Sequence, residues 1–289
     1  MIETIFLKFT EAPQSIPLVA EGVTVFVGPN NSGKSLLLRE IERQISEPQV
    51  QRKIVDDVEL KFPSRDEFVK QAELLNKRAP DGSREGYVHL YRYSQGGLES
   101  GGSDLSWFLS ILEGRNKNAF LQSFINFFVI RLDGRTRFSL VNDRERGDLA
   151  GKVPANFIAK IFVEDPLRES IREVCLDAFT KYFVLDPTSG SQLKIRLSDT
   201  PPSTDEQSLN AAARAFHGNA QYIQDASDGV QAFLGIIMAV FAGDYKVILL
   251  DEPEAFLHPP LARKLGYRLA LRAVQRKEAL FSQLIARTF

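Results

Sequence analysis

Four apolar residues in a row, Val247, Ile248, Leu249 and Leu250, stand out in a chain whose apolar positions elsewhere mostly alternate or recur with helical spacing. An unbroken run of this kind predicts a strand buried on both faces, as in a sheet covered by helices. Val23, Val25, Phe26 and Val27, interrupted by Thr24, also predict a buried strand. Residues 2–9 alternate like an edge or antiparallel strand, and Pro13 and Pro17 break the pattern after them. Helical spacing predicts a helix starting at Leu36, one around 65–77, and one face running through Trp107, Leu109, Leu112, Phe120, Phe124 and Phe127. Further helices are expected over 155–163 and 166–180, and FLGIIMAVFAG, 233–243, predicts a buried one. FFVIRLDGRTRFSLV reads as a hairpin across Asp133-Gly134, and KYFVLDPTSGSQLKIRLSD as another through Asp186, Pro187 and Gly190. The glycine- and serine-rich stretch 94–104 reads as a flexible loop, and 48–86, punctuated by Pro63, Pro80 and Gly82, as a polar surface lobe. The sum is an α/β fold, a mixed sheet flanked by helices with an inserted helical and β lobe. It divides into 1–47, 48–200 and 201–289, without a repeat or a sustained heptad.

Composition adds mainly exclusions. With 289 residues, 44% hydrophobic and 25% charged, the chain is neither disordered nor fibrous. Its 36 basic and 37 acidic residues leave a net charge of −1, so no global field draws in nucleic acid or an anionic membrane. A nucleic-acid partner is left open, but Arg52, Lys53, Arg65, Arg84, Arg92 and the basic group over 131–146 read as solvated surface. A single cysteine, Cys175, forms no intrachain disulfide and reads as a core residue. His89 and His217 lack partners at metal-ligand spacing. The opening MIETIFLKFTEAPQS has no signal-peptide pattern, and 233–243 is too short to span a bilayer; a cytoplasmic protein without a membrane segment is expected.

Candidate chemistry is concentrated in three short texts. Between the first strand and the first helix lies G-P-N-N-S-G-K-S: Gly28, Pro29, Asn30, Asn31, Ser32, Gly33, Lys34 and Ser35. Its pattern is that of a phosphate loop, in which glycines let backbone N–H groups turn inward, the lysine meets the outer phosphates and the hydroxyl ligates magnesium. KVILLDEPEAFLHPP delivers Asp251 and Glu252 to the carboxyl end of the buried strand, where ligands bind in open α/β sheets. There Asp251 would hold Mg2+ and Glu252 would activate water, unless the pair only caps the following segment. Upstream, Ser227, Gly229 and Gln231 open the long apolar helix and make a second phosphate receptor, which points to two protomers. A guanine-reading Asn-Lys-x-Asp motif is absent, since Asn116-Lys117 is followed by Asn118 and Ala119.

The order of these texts resembles the ABC-type ATPase head. Within that superfamily it looks most like the soluble branch of SMC, RecF-type and OLD-like proteins, AAA-family ATP-binding proteins in which text such as DEPEAFLHP is common. The resemblance implies a homodimer formed head to tail around ATP. Each nucleotide would lie between one phosphate loop and the partner helix opened by Ser227, Asp228, Gly229, Val230 and Gln231, and hydrolysis would release the pair. It places Ala255, Phe256, Leu257 and His258 in the loop crossing the interface. It also implies a γ-phosphate histidine after one more strand, which SQLIARTF lacks, so slow hydrolysis, an altered form or a completing partner is expected; Gln95 is the lid-glutamine candidate. The stretch between Ser35 and Ser227 is longer than a minimal transporter head needs and far shorter than an SMC coiled coil. No nuclease domain fits after the acidic motif, so an effector or nuclease would be a separate protein. The implied role is a switch in DNA maintenance or anti-phage defence, with a non-hydrolysing ATP-dependent scaffold as the alternative.

Overall fold

The computed structural model describes residues 2–8, 14–17, 22–29, 31–76, 84–94, 97–134, 136–150, 153–203, 206–276 and 279–285. The chain begins with β1 (Ile2–Leu7), β2 (Gln14–Pro17), β3 (Gly22–Gly28), α1 (Lys34–Ser46), β4 (Val55–Leu60) and α2 (Arg65–Asn76). Its middle builds β5 (Tyr87–Ser94), β6 (Gly97–Asp104), α3 (Leu105–Glu113), α4 (Lys117–Ser123), β7 (Val129–Leu132), α5 (Thr136–Ser139) and β8 (Arg144–Glu145). There follow α6 (Phe157–Val163), α7 (Asp165–Phe179), β9 (Tyr182–Ser189), β10 (Gln192–Ser198), α8 (Ala211–Asn219) and β11 (Gln221–Tyr222). Last come α9 (Asp228–Ala242), β12 (Val247–Asp251), α10 (Pro259–Arg276) and β13 (Ala279–Ile285).

A parallel sheet ordered β3-β13-β12-β7 forms the centre. Along β12 the side chains alternate between two cores, which is the period-two geometry of a strand. Val247 and Leu249 join Ile41, Phe68, Phe120 and Phe281 on one side, while Ile248 and Leu250 join Phe233, Ile237, Leu265 and Leu280 on the other. The expected doubly buried strand is therefore β12. The matching expectation for 23–27 fails, because β3 is the edge of this sheet and Val25 and Val27 remain 43% and 64% exposed. Helix α1 crosses one face, touching β3, β7, β12 and β13, and α9 and α10 pack on the other side. An antiparallel sheet β2-β1-β4 packs against α1, and β10 pairs with β8, β9 and β11 beneath α7.

Three local expectations are corrected. The glycine-rich stretch 94–104 is largely a strand, β6, paired along its length with β5. Its glycines serve close approach: a Cβ at Gly101 would fall 2.5 Å from Phe127 Cζ, and one at Gly102 only 2.1 Å from the Val88 carbonyl oxygen. The long aromatic face over 107–127 is broken into α3, α4 and a 3-10 turn (Ile125–Phe128). The chain turns at Arg115, with φ 47°, and Asn116 caps α4 by accepting from the Ala119 N–H at 3.2 Å. The segment around Asp133-Gly134 is no hairpin. Asp133 Oδ1 accepts from the Thr136 N–H at 3.1 Å and Thr136 Oγ1 from the Asp133 N–H at 3.0 Å, a reciprocal cap that starts α5 and leaves β7 to pair in parallel with β12. The second hairpin exists as β9 and β10. Its turn lies at Gly190, with φ 66°, while Asp186 and Pro187 sit inside β9.

Candidate functional site

Parallel pairing puts the carboxyl ends of β3 and β12 at the same edge of the sheet, so the loop after β3 and the turn after β12 share one mouth. The loop is shaped by its own residues. Gly33 holds φ 87° and caps α1, a conformation that a side chain rarely adopts, and a Cβ at Gly28 would approach Ser32 Oγ to 2.9 Å. Lys34 lies back over the loop, its Nζ donating to the carbonyl oxygens of Gly28 and Pro29 at 2.8 and 2.7 Å. Ser35 donates its hydroxyl to Asp251 Oδ1 at 3.1 Å, across 216 positions of sequence. Asp251 is 8% exposed, and burial pushes its carboxyl above the usual range even though the Ser35 hydroxyl favours the ionised form.

A cleft of about 600 Å³ is lined by Asn31, Ser32, Gly33, Lys34, Ser35, Leu36 and Glu252. It joins the sequence-predicted loop to the second acid of the Asp-Glu pair. An oxygen pair such as the Ser35 hydroxyl and Asp251 carboxylate suits a hard divalent cation. Asn30 and Gln95 lie outside the described residues.

The acidic turn has the opposite construction. Glu252 and Phe256 both hold positive φ, 51° and 68°, and neither is glycine. Arg137, 1% exposed, lies behind the turn with one nitrogen donating to the carbonyl oxygens of Asp251 and Glu252 and the other to that of Ala255 at 3.2 Å. The basic group over 131–146 was expected at the solvated surface, and Arg137 is a correction to that reading. Arg131 is likewise engaged, with Glu42 at 2.6 Å and Asp133 at 3.1 Å, Arg65 pairs Glu113 at 2.6 Å, and Arg92 pairs Glu99. The available signal for Arg137 was the Asp133-x-x-Thr136 cap, which ends the strand and turns the next residues inward.

The second predicted receptor stands apart from the cleft lining. Ser227 occupies the N-cap position of α9 without a side-chain capping bond and is exposed. Gly229 lies so close to the turn that a Cβ there would fall 2.9 Å from the Phe256 carbonyl oxygen. Gln231 points inward: it is buried, and its Nε2 donates to the Ala226 carbonyl oxygen at 2.9 Å. His258 is exposed, and its carbonyl oxygen accepts from the N–H groups of Leu261 and Ala262 at 3.0 Å, opening α10. His217 is fully buried, with Nε2 2.7 Å from the Glu206 carbonyl oxygen, and buried Cys175 has its thiol pushed up to about 12 by desolvation. Among the described residues no group of three or more His, Cys, Asp and Glu is placed to hold a metal ion, and no helix is long and apolar enough to cross a membrane.

Residues 216–288 match the family described as "AAA domain, putative AbiEii toxin, Type IV TA system". No curated protein matches the chain. Among solved structures, the chain is similar to an SMC head bound to the C-terminal winged-helix domain of ScpA, at 14% identity and TM-score 0.50, over 99% of this chain and 89% of the other. An SMC head domain from Thermotoga maritima matches at 14% identity and TM-score 0.44, covering 99% and 89%. A nucleotide-free ATP-binding cassette of an ABC transporter matches at 14% identity and TM-score 0.37, covering 99% and 82%. The fold is similar to that of the SMC head.

Proposed function

We propose that this chain, a P-loop NTPase by fold, binds ATP with Mg2+ and hydrolyses it as a switch that pairs head to tail with a second copy. The observation that carries this reading is the 3.1 Å bond between Ser35 and Asp251, which joins the phosphate loop to the acidic strand at one edge of a parallel sheet. Ser35 and Asp251 would hold the cation, which when bound supplies positive charge to the phosphate oxygens. The N–H groups of Asn30, Asn31, Ser32 and Gly33, in the loop that Gly28 and Pro29 open, would receive the phosphates at the start of α1, and Lys34 would leave its loop carbonyls to meet the outermost one. Glu252, on the cleft wall, would take a proton from the attacking water.

The uncapped Ser227, together with Gly229 and Gln231 at the start of α9, would serve the nucleotide of the partner, and His258 would lie in the crossing loop. In this reading 48–200 is an inserted lobe that also supplies further core strands, β7 among them, between two parts of an ATPase core, and a separate protein in DNA maintenance or anti-phage defence reads the paired state.

Mass in solution with and without ATP and Mg2+, alongside phosphate release from the same samples, tests the proposal. An ATP-dependent dimer that releases phosphate, and that Glu252→Gln locks as a dimer without turnover, is the expected result. ATP binding with no change of assembly and no phosphate overturns it in favour of a scaffold.

A further inference from the structure

The acidic turn carries two left-handed residues that its own sequence does not favour, and one buried side chain touches the backbone on each side of that strain. A guanidinium presents five N–H donors in a rigid plane, so a single arginine can hold several carbonyl oxygens at once. Arg137 does this for Asp251, Glu252 and Ala255. Burial works against its charge most strongly, and the nearby carboxylates of Glu254, Asp251, Glu252 and Asp133 counter that cost only in part. The helix that carries Arg137 is pressed in turn against α9: a Cβ at Gly235 would fall 2.6 Å from the Arg137 carbonyl oxygen. Since Gly229 of the same helix abuts the Phe256 carbonyl, α9, α5 and the acidic turn close a ring of contacts.

We propose that Arg137 is a positioning residue for Glu252. It fixes the carbonyl frame on which the acid stands and makes the setting of that frame depend on where α9 lies. The inference rests on the reading of Glu252 as the group that activates water. In a head-to-tail pair, nucleotide held at the start of α9 would then adjust the acid of the same protomer through Gly229 and through α5, so that each site senses whether the other is filled. Distance in sequence is no obstacle, because α5 touches α9 and the turn directly.

Arg137→Lys and Arg137→Met test this in the full chain, each also placed in a Glu252→Gln background. Backbone hydrogen exchange without nucleotide, ATP affinity and phosphate release are measured together. The expected result is faster exchange confined to 251–257 with the phosphate loop unchanged. ATP affinity should stay within about threefold while phosphate release falls on the order of 100-fold, with no further loss when either substitution is added to Glu252→Gln. Unchanged exchange at 251–257, or a loss in the Glu252→Gln background equal to that in the native chain, overturns the proposal. Should Arg137→Met fail to fold, Arg137→Lys carries the test, and a chain-wide rise in exchange in that variant also overturns it. If the native chain releases no phosphate, the ATPase reading fails by itself, and the exchange contrast still decides whether Arg137 sets the turn.

Discussion

Two turns meet in the cleft, and they are held in shape by different means. The phosphate loop is written locally: Gly33 takes the left-handed conformation at no steric cost, and Gly28 leaves room for Ser32. The acidic turn is imposed from a distance, since Glu252 and Phe256 take the same backbone region without being glycine and rely on an arginine 114 positions from Asp251. On the proposed reading, a loop that only receives phosphate can be rigid by composition. A turn proposed to aim a carboxylate cannot replace that residue by glycine, so its strain is offset by tertiary contact.

The largest effect should come from the acid itself. Glu252→Gln is expected to lower phosphate release at least ~100-fold while ATP affinity persists, read by phosphate release beside equilibrium binding. Gly33→Ala, at φ 87°, should cost about 1–2 kcal/mol of stability, seen in denaturant unfolding, together with most ATP binding. Nucleotide affinity left intact would break the claim of local encoding. Glu40 sharpens the contrast from outside the loop. Its carboxylate accepts from the N–H groups of Lys53, Ile54 and Val55 at 2.8, 2.7 and 2.9 Å; burial raises its pKa, and these bonds hold it below the usual range nonetheless. Glu40→Gln should cost about 1–3 kcal/mol near neutral pH with ATP affinity unchanged. Because the folded-state pKa is depressed, this stability is present above the unfolded value and lost as pH falls through the folded one, so the gap between native and variant chains should close in acid. The smallest effect on stability has the opposite sign: Glu252→Gly should raise stability by about 1 kcal/mol, through relief of left-handed strain, although turnover is lost with the acid as in Glu252→Gln.

The same division explains what was legible in the sequence. The glycine-rich loop, the apolar run of β12 and its terminal acids are short texts that lie within a few residues, and the structure brings Ser35 and Asp251 within hydrogen-bond distance. The stretch after β7 misled because Asp133-Gly134 resembles a hairpin turn, whereas the side chains of Asp133 and Thr136 cap a helix instead. The glycines of β6 misled because their reason is the Phe127 ring and the Val88 carbonyl opposite, neither of which is a neighbour in sequence. Val25 and Val27 look like core, yet β3 is an edge strand, and strand order is not written in any single strand. Arg137 is the extreme case, an arginine by type and a structural brace by position.

The sheet order has a consequence for synthesis. β13 lies between β3 and β12, so among the described residues β3 has no partner in this sheet until β13 is made. At a translation rate of roughly 5–20 residues per second, a ribosome would hold the loop unpaired for many seconds after making it. A nascent chain would therefore complete this sheet only once β13 has been made, and an interrupted product ending before β13 would carry the text from Gly28 to Ser35 without the sheet that holds it in place.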